Sequence, residues 1–166
     1  MLPTNSAKGF TLIELMVVVI IIAILAAMAA PSMSRQIQQM RVIDGANVIE
    51  SAFKDARTQA QIYQKSTFVE LTNTAVDKRM DVKFVDSTDS RSRFALSDGL
   101  TITPSTASLS KISFTPQKHA FEDNTGTGTA LNNTTKISVC SGTGVDRYSV
   151  FVEGNSNIVT QKDGTC

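Results

Sequence analysis

The chain has 166 residues, a formal net charge of +1 and 19% charged residues. That length holds one core rather than two, and a near-neutral balance excludes a global field that would draw in nucleic acid or an acidic membrane surface. Charge is sparse because Thr, Ser, Asn and Gly fill the second half, a surface that suits an exported, β-rich domain better than a cytosolic enzyme.

Met1 to Gly9 is a short polar segment whose one basic side chain is Lys8, and such a charge holds an N-terminus on the cytoplasmic side of a membrane. From Phe10 to Ala30 the only charged residue is Glu14. An apolar run of about 18 residues or more reads as a membrane-spanning helix, because roughly 20 helical residues cross the hydrocarbon and every backbone group is satisfied within the helix. A carboxylate inside that run costs at least a few kcal/mol in lipid, so Glu14 points to a function. An ordinary secretory signal, with Ala27-Met28-Ala29 imitating a cleavage site, is the competing reading. It fails because the apolar core is too long and contains Glu14, which a plain membrane anchor would not need either.

Pro31 then interrupts the helix, removing a backbone hydrogen bond and favouring a bend. Beyond it, Val42, Ala46, Ile49, Phe53, Ala56, Ala60 and Tyr63 recur at a 4-3-4-3 spacing, while Arg41, Asp44, Glu50, Lys54 and Asp55 occupy the other face. This predicts an amphipathic helix with one buried stripe. The small residues Gly45, Ala46, Ala52, Ala56 and Ala60 would let a sheet approach closely, whereas a free-standing coiled coil would want a longer stripe, poorer in Ala.

From Ser66 the pattern turns to strands, expected at Thr67–Leu71, Met80–Val85, Phe94–Leu96, Leu100–Thr103, Lys111–Phe114, Lys136–Cys140, Arg147–Val152 and Asn157–Gln161. Alternating pairs such as Val82/Phe84 and Ile137/Val139, separated by turns such as Ser97-Asp98-Gly99 and Glu153-Gly154-Asn155, argue for antiparallel pairing. Asp86 to Arg93 and Asp123 to Thr135 are expected as mobile loops, each read first as a solvated connector. The expected fold class is therefore α+β: a long N-terminal helix, apolar all round in its first half and amphipathic in its second, packed on an antiparallel β-sheet domain.

Lys8-Gly9-Phe10-Thr11-Leu12-Ile13-Glu14, continuing through Leu15 and Met16 to Pro31, resembles the processing site and stem of type IV pilins and type II secretion pseudopilins. The resemblance implies cleavage between Gly9 and Phe10 by a membrane-embedded peptidase, N-methylation of Phe10, an assembly role for Glu14 and a bend or local melting at Pro31. It divides the chain into a leader at 1–9, a transmembrane or filament-core helix at 10–30, an amphipathic half at 31–64 and a globular domain at 65–166. Asp55-Ala56-Arg57-Thr58-Gln59-Ala60, closely followed by Phe68-Val69-Glu70-Leu71, resembles the H-type group, which contains the minor pilins FimU and FimT and the pseudopilin GspH. Members of that group follow the helix with a two-sheet β domain.

The implied partners are other minor pilins and the major pilin through the helix, the peptidase and methyltransferase, and an inner-membrane assembly platform. The implied location is the bacterial inner membrane, single-pass with the β domain periplasmic, and then the cell-surface pilus. Export favours a disulfide between Cys140 and Cys166, which resembles the C-terminal disulfide loop of many type IV pilins; the alternative is two free thiols. The tail Val159 to Cys166 carries one Lys beside an Asp and lacks the Arg-rich character linked to DNA uptake, so DNA binding is not expected.

No P-loop, Gly-x-Ser-x-Gly, His-Glu-x-x-His or dinucleotide fingerprint occurs, and His119 has no partner at useful spacing. Two Cys and one distant His do not make a metal ligand set. The expectation is no enzyme, no catalytic residue, no metal and no cofactor: a minor pilin that helps to initiate and cap a fibre. The alternative is a secretion pseudopilin of the GspH type, which shares the same N-terminal motifs.

Overall fold

The 4-3-4-3 spacing predicts an amphipathic helix from Val42 to Tyr63, and in the computed structural model that stretch is the second part of α1, Leu12–Tyr63. The structure describes residues 10–106, 110–132 and 134–166, without the side chains of 29–31. The expected leader, including Gly9, and the side chain of Pro31 lie outside the described residues.

The chain divides into two compact units between Ile37 and Gln38, inside α1. In the first unit, residues 10–28 are exposed throughout among the described residues. In the second, Val42, Ala46, Ile49, Phe53, Ala56 and Ala60 are buried, as the stripe predicts, and Ala52 joins them. Tyr63 departs from the expectation: it stands 52% exposed, with its ring edge-on to Phe84 at 5.4 Å between centroids. The helix ends there, because Gln64 takes a left-handed φ of 52°, the backbone form that terminates helices.

The strands are β1 (Thr67–Asn73), β2 (Lys78–Phe84), β3 (Ser90–Ala95), β4 (Thr101–Pro104), β5 (Lys111–Phe114), β6 (Ala120–Phe121), β7 (Lys136–Cys140), β8 (Asp146–Val152) and β9 (Ile158–Thr165). They form a five-stranded sheet in the order β3-β2-β1-β5-β6 and a four-stranded sheet in the order β4-β7-β8-β9. All pairings are antiparallel. In the first sheet Val69 lies between Val82 and Ile112, and all three are buried. In the second, Ile137 pairs with Val150 and Val139 with Ile102, again all buried. Period-two alternation thus delivers one apolar face from each sheet to the helix.

The small helix residues set how close the sheets come. A Cβ added at Gly45 would stand 2.5 Å from Leu100 Cδ1 and 3.3 Å from Val139 Cγ1. The buried Thr67 hydroxyl donates to the carbonyl oxygen of Ala56 at 2.8 Å, tying β1 to the helix backbone. Phe53 then packs on Phe114 with ring centroids 6.0 Å apart.

Two local expectations need correction. The supposed loop Asp86 to Arg93 is strand from Ser90 onward: Ser92 bonds Gln59 of α1 at 3.0 Å, and Phe94 packs against the core. The last strand continues four residues past Gln161, to Thr165, because Asp163 is fixed by Lys136 at 2.5 Å and by Ser149 at 2.9 Å. β6, only two residues long, carries too little alternation to be read from sequence.

Among the described residues the one buried charged group, Asp81, sits in a cross-strand network. Asp81, 3% exposed, accepts from Arg93 Nε and Arg79 Nε, each at 2.8 Å, and from Ser90 at 3.0 Å. Burial pushes its carboxyl up, but the three donors outweigh burial and hold it below its ordinary value. A depressed carboxyl adds stability that is present above the unfolded pKa, about 3.9, and is lost as pH falls through the folded value. Urea titrations should therefore show wild-type stability falling below about pH 4, while Asp81→Asn starts less stable at neutral pH and has the flatter profile. Equal slopes for the two proteins would contradict the assignment.

Cys140 and Cys166 are joined by a disulfide across a sequence separation of 26. Cys166 packs against the core, and its N–H donates to the carbonyl oxygen of Val145 at 2.9 Å. The bridge ties the end of β7 to the last residue and closes β8 and β9 into one loop, which is worth about 3.5 kcal/mol by unfolded-chain entropy. Replacing both cysteines by serine should lower unfolding free energy by about that amount, and reductant should then leave the variant's urea midpoint unmoved.

Candidate assembly site at the helix N-terminus

Thr11-Leu12-Ile13-Glu14 has the Thr-x-x-Glu pattern of a capping box. The Thr11 Oγ1 accepts from the Glu14 N–H at 3.3 Å, and the Thr11 carbonyl accepts the Leu15 N–H at 3.2 Å. Thr11 is therefore the N-cap of α1. Capping leaves Glu14 in the first helical turn, where the positive end of the helix dipole favours an anion. Phe10 is 79% exposed, just before the cap. Among the described residues, no cation lies within ion-pair distance of the Glu14 carboxylate.

Around this carboxylate the helix offers Leu12, Ile13, Leu15, Met16 and the Val and Ile residues behind them, each at least 46% exposed as far as Leu25. Such a surface needs lipid or other helices to cover it. Among the described residues no single helix is long and apolar enough to cross a membrane; Leu12–Met28 and Ser32–Tyr63 pass that test only as a pair, by length and composition.

Among the described residues singled out from sequence, Cys140, Cys166 and His119 do not join this site. Cys140 and Cys166 close the second sheet. His119 is exposed in a turn, its ring 6.4 Å from that of Phe121. Among the described residues no group of three or more His, Cys, Asp and Glu could hold a metal ion.

The C-terminal tail spends its charges inside the domain. Lys162 pairs with Asp146 at 2.8 Å, and Asp163 is taken by Lys136 and Arg147. Of the two arginines in β3, Arg93 is held by Asp81, while Arg91 stacks on the rings of Tyr63 and Phe84 at 5.4 and 5.2 Å.

Two residues do work that sequence alone does not disclose. Arg57 reaches from α1 to the carbonyl oxygen of Ser156 at 2.9 Å, clamping the β8–β9 turn. Asp123 organises the loop that follows it, accepting from Ser113 Oγ at 2.5 Å, from the N–H groups of Gly126 and Thr127 at 2.9 and 3.2 Å, and from the Thr125 hydroxyl. Burial raises its carboxyl, yet these four donors carry it far below the usual carboxylate range. The Ala-Arg-x-x-Ala spacing singles out Arg57 without its partner, and Asp123 carries no signal beyond its place before a Gly- and Thr-rich run.

The prokaryotic N-terminal methylation motif matches residues 4–30. No curated protein sequence matches the chain. Two crystal structures of the type IV minor pilin FimU of Pseudomonas aeruginosa are similar to it. One, at 12% identity and a TM-score of 0.57, aligns over 74% of this chain and 98% of that one. The other crystal form, at 11% identity and a TM-score of 0.58, aligns over 75% and 94%. At such identities the likeness is one of fold. The chain therefore joins a prokaryotic N-terminal methylation motif to a type IV pilin-like fold.

Proposed function

We propose that this protein is a minor subunit of a type IV pilus, a structural component that helps to initiate and cap the fibre. The observation that carries the reading is the exposed apolar half of α1, with Glu14 as its single charge, joined to a β domain of FimU-like fold. The methylation motif supports cutting between Gly9 and Phe10 and methylation of the new N-terminus. Before assembly the apolar half lies in the inner membrane, with Met1 to Gly9 cytoplasmic and the β domain periplasmic. Pro31 supplies a bend in the stem.

The chemistry of assembly follows from charge. Cleavage leaves a cationic amine on Phe10, four residues before the Glu14 carboxylate. Phe10 stands before the N-cap Thr11, outside the helix, so helical geometry does not hold its amine against Glu14 of the same chain. In a bundle of helices free of water, either charge alone is costly. Glu14 of one subunit paired with the Phe10 amine of its neighbour neutralises both and sets the axial step. The partners are other minor pilins and the major pilin, delivered by the inner-membrane platform.

Glu14→Ala leaves the neighbour's amine unpaired, at a cost of about 3 kcal/mol or roughly a hundredfold in incorporation. Immunoblots should show the variant inserted and cleaved like wild type, with its level in sheared filaments reduced about a hundredfold. Normal incorporation of Glu14→Ala would refute the pairing. Wild-type protein that is processed but stays in the envelope would favour the secretion pseudopilin.

A further inference from the structure

A polar cleft of about 410 Å³ opens between α1 and the tips of two hairpins, one from each sheet. Arg57 and Gln61 line it from the helix, Lys118 from the β5–β6 turn, and Asn155, Ser156 and Asn157 from the β8–β9 turn.

The two turns are built alike. In one, the Thr115 N–H donates to the His119 carbonyl at 2.9 Å and the Lys118 N–H to the Thr115 carbonyl at 3.1 Å. In the other, the Glu153 N–H donates to the Asn157 carbonyl at 3.0 Å and the Ser156 N–H to the Glu153 carbonyl at 2.8 Å. Each loop closes with a residue in the left-handed region, Lys118 at φ 65° and Ser156 at φ 58°. Glycine is the residue such a loop favours there. Among the described residues three non-glycine positions have positive φ. One ends the helix, and the other two face this cleft. Strain held at two positions of one cleft points to a use for the side chains placed there.

The charges are uncompensated. None of the lining residues is acidic, and among the described residues neither Arg57 nor Lys118 has a carboxylate within ion-pair distance. By contrast Lys83, Lys111, Lys136 and Arg147 each reach one. The carboxylate of Glu153 accepts from Asn157 Nδ2 at 3.3 Å. The Thr58 hydroxyl at the rim is taken by the Lys54 carbonyl at 2.7 Å. Asn155 Oδ1 accepts the Asn157 N–H at 2.9 Å, which leaves its amide N–H₂ available. Arg57 spends one Nη on Ser156 and keeps the rest of its fork.

We propose that this cleft is an oxyanion-binding site, in which the Arg57 guanidinium and the Lys118 ammonium hold a carboxylate or phosphate group with help from the Asn155 and Gln61 amides. A guanidinium fork and a mobile ammonium suit any ligand with two or more acceptor oxygens. A carboxylate from a neighbouring chain and a free phosphate share that chemistry.

The test is an NMR titration of the full-length protein in zwitterionic micelles, with succinate and with inorganic phosphate at constant ionic strength. The amides of Lys118, Ser156 and Asn157 should shift saturably. Saturation by succinate alone assigns a carboxylate, by phosphate alone a phosphate, and by both a site that reads charge. Lys118→Gly relieves the left-handed strain, so it should melt no lower than wild type yet bind at least tenfold more weakly, and Lys118→Arg should retain binding. Non-saturating shifts with both anions, or undiminished affinity in a folded Lys118→Gly, would overturn the proposal.

Discussion

A single helix must satisfy two solvents, and the rest of the molecule follows from that constraint. Over residues 10–28 its side chains are exposed and almost wholly apolar, so something outside this chain must cover them. Over Val42 to Ala60 its stripe is buried by this chain's own sheets. The small residues decide how the second half is met. Gly45 leaves no room for a Cβ beside Leu100, and Ala46, Ala52, Ala56 and Ala60 keep the helix surface low enough for two sheets to share it. Large residues on the strands, with Phe53 and Ile49 on the helix, fill what remains.

That division also explains where charge is tolerated. In the β domain a carboxylate drawn out of solvent is surrounded by donors: the buried Asp81 by two arginines and a serine, the half-buried Asp123 by two hydroxyls and two backbone amides. In the exposed apolar half Glu14 has only its place at the positive end of the helix. Completing its environment requires a cation from elsewhere. The proposed pairing between subunits supplies one, and it makes assembly depend on the same group that is costly in lipid.

Much of this was legible in the residues because it is local. The helix stripe shows at a spacing of three and four, and β5 and β7 match the expected alternating segments at both ends. What was not legible depends on partners distant in sequence. β3 reads as a charged loop until Gln59 and Asp81, from α1 and β2, meet its serines and arginines. The extension of β9 to Thr165 rests on Lys136 and Ser149. The same limit applies to function: Arg57 is visible as part of a motif, but Ser156 and Lys118 come to it only through the folding of two hairpins.

The central claim, that this chain enters a type IV filament as a minor component through a processed N-terminus, is tested most directly by mass spectrometry of sheared, purified surface filaments, quantified against their most abundant subunit. The account predicts a trace species that begins at Phe10 and carries a methyl group on its amine. Absence from the fibres with retention in the envelope, or a dominant share of the fibre mass, would contradict it.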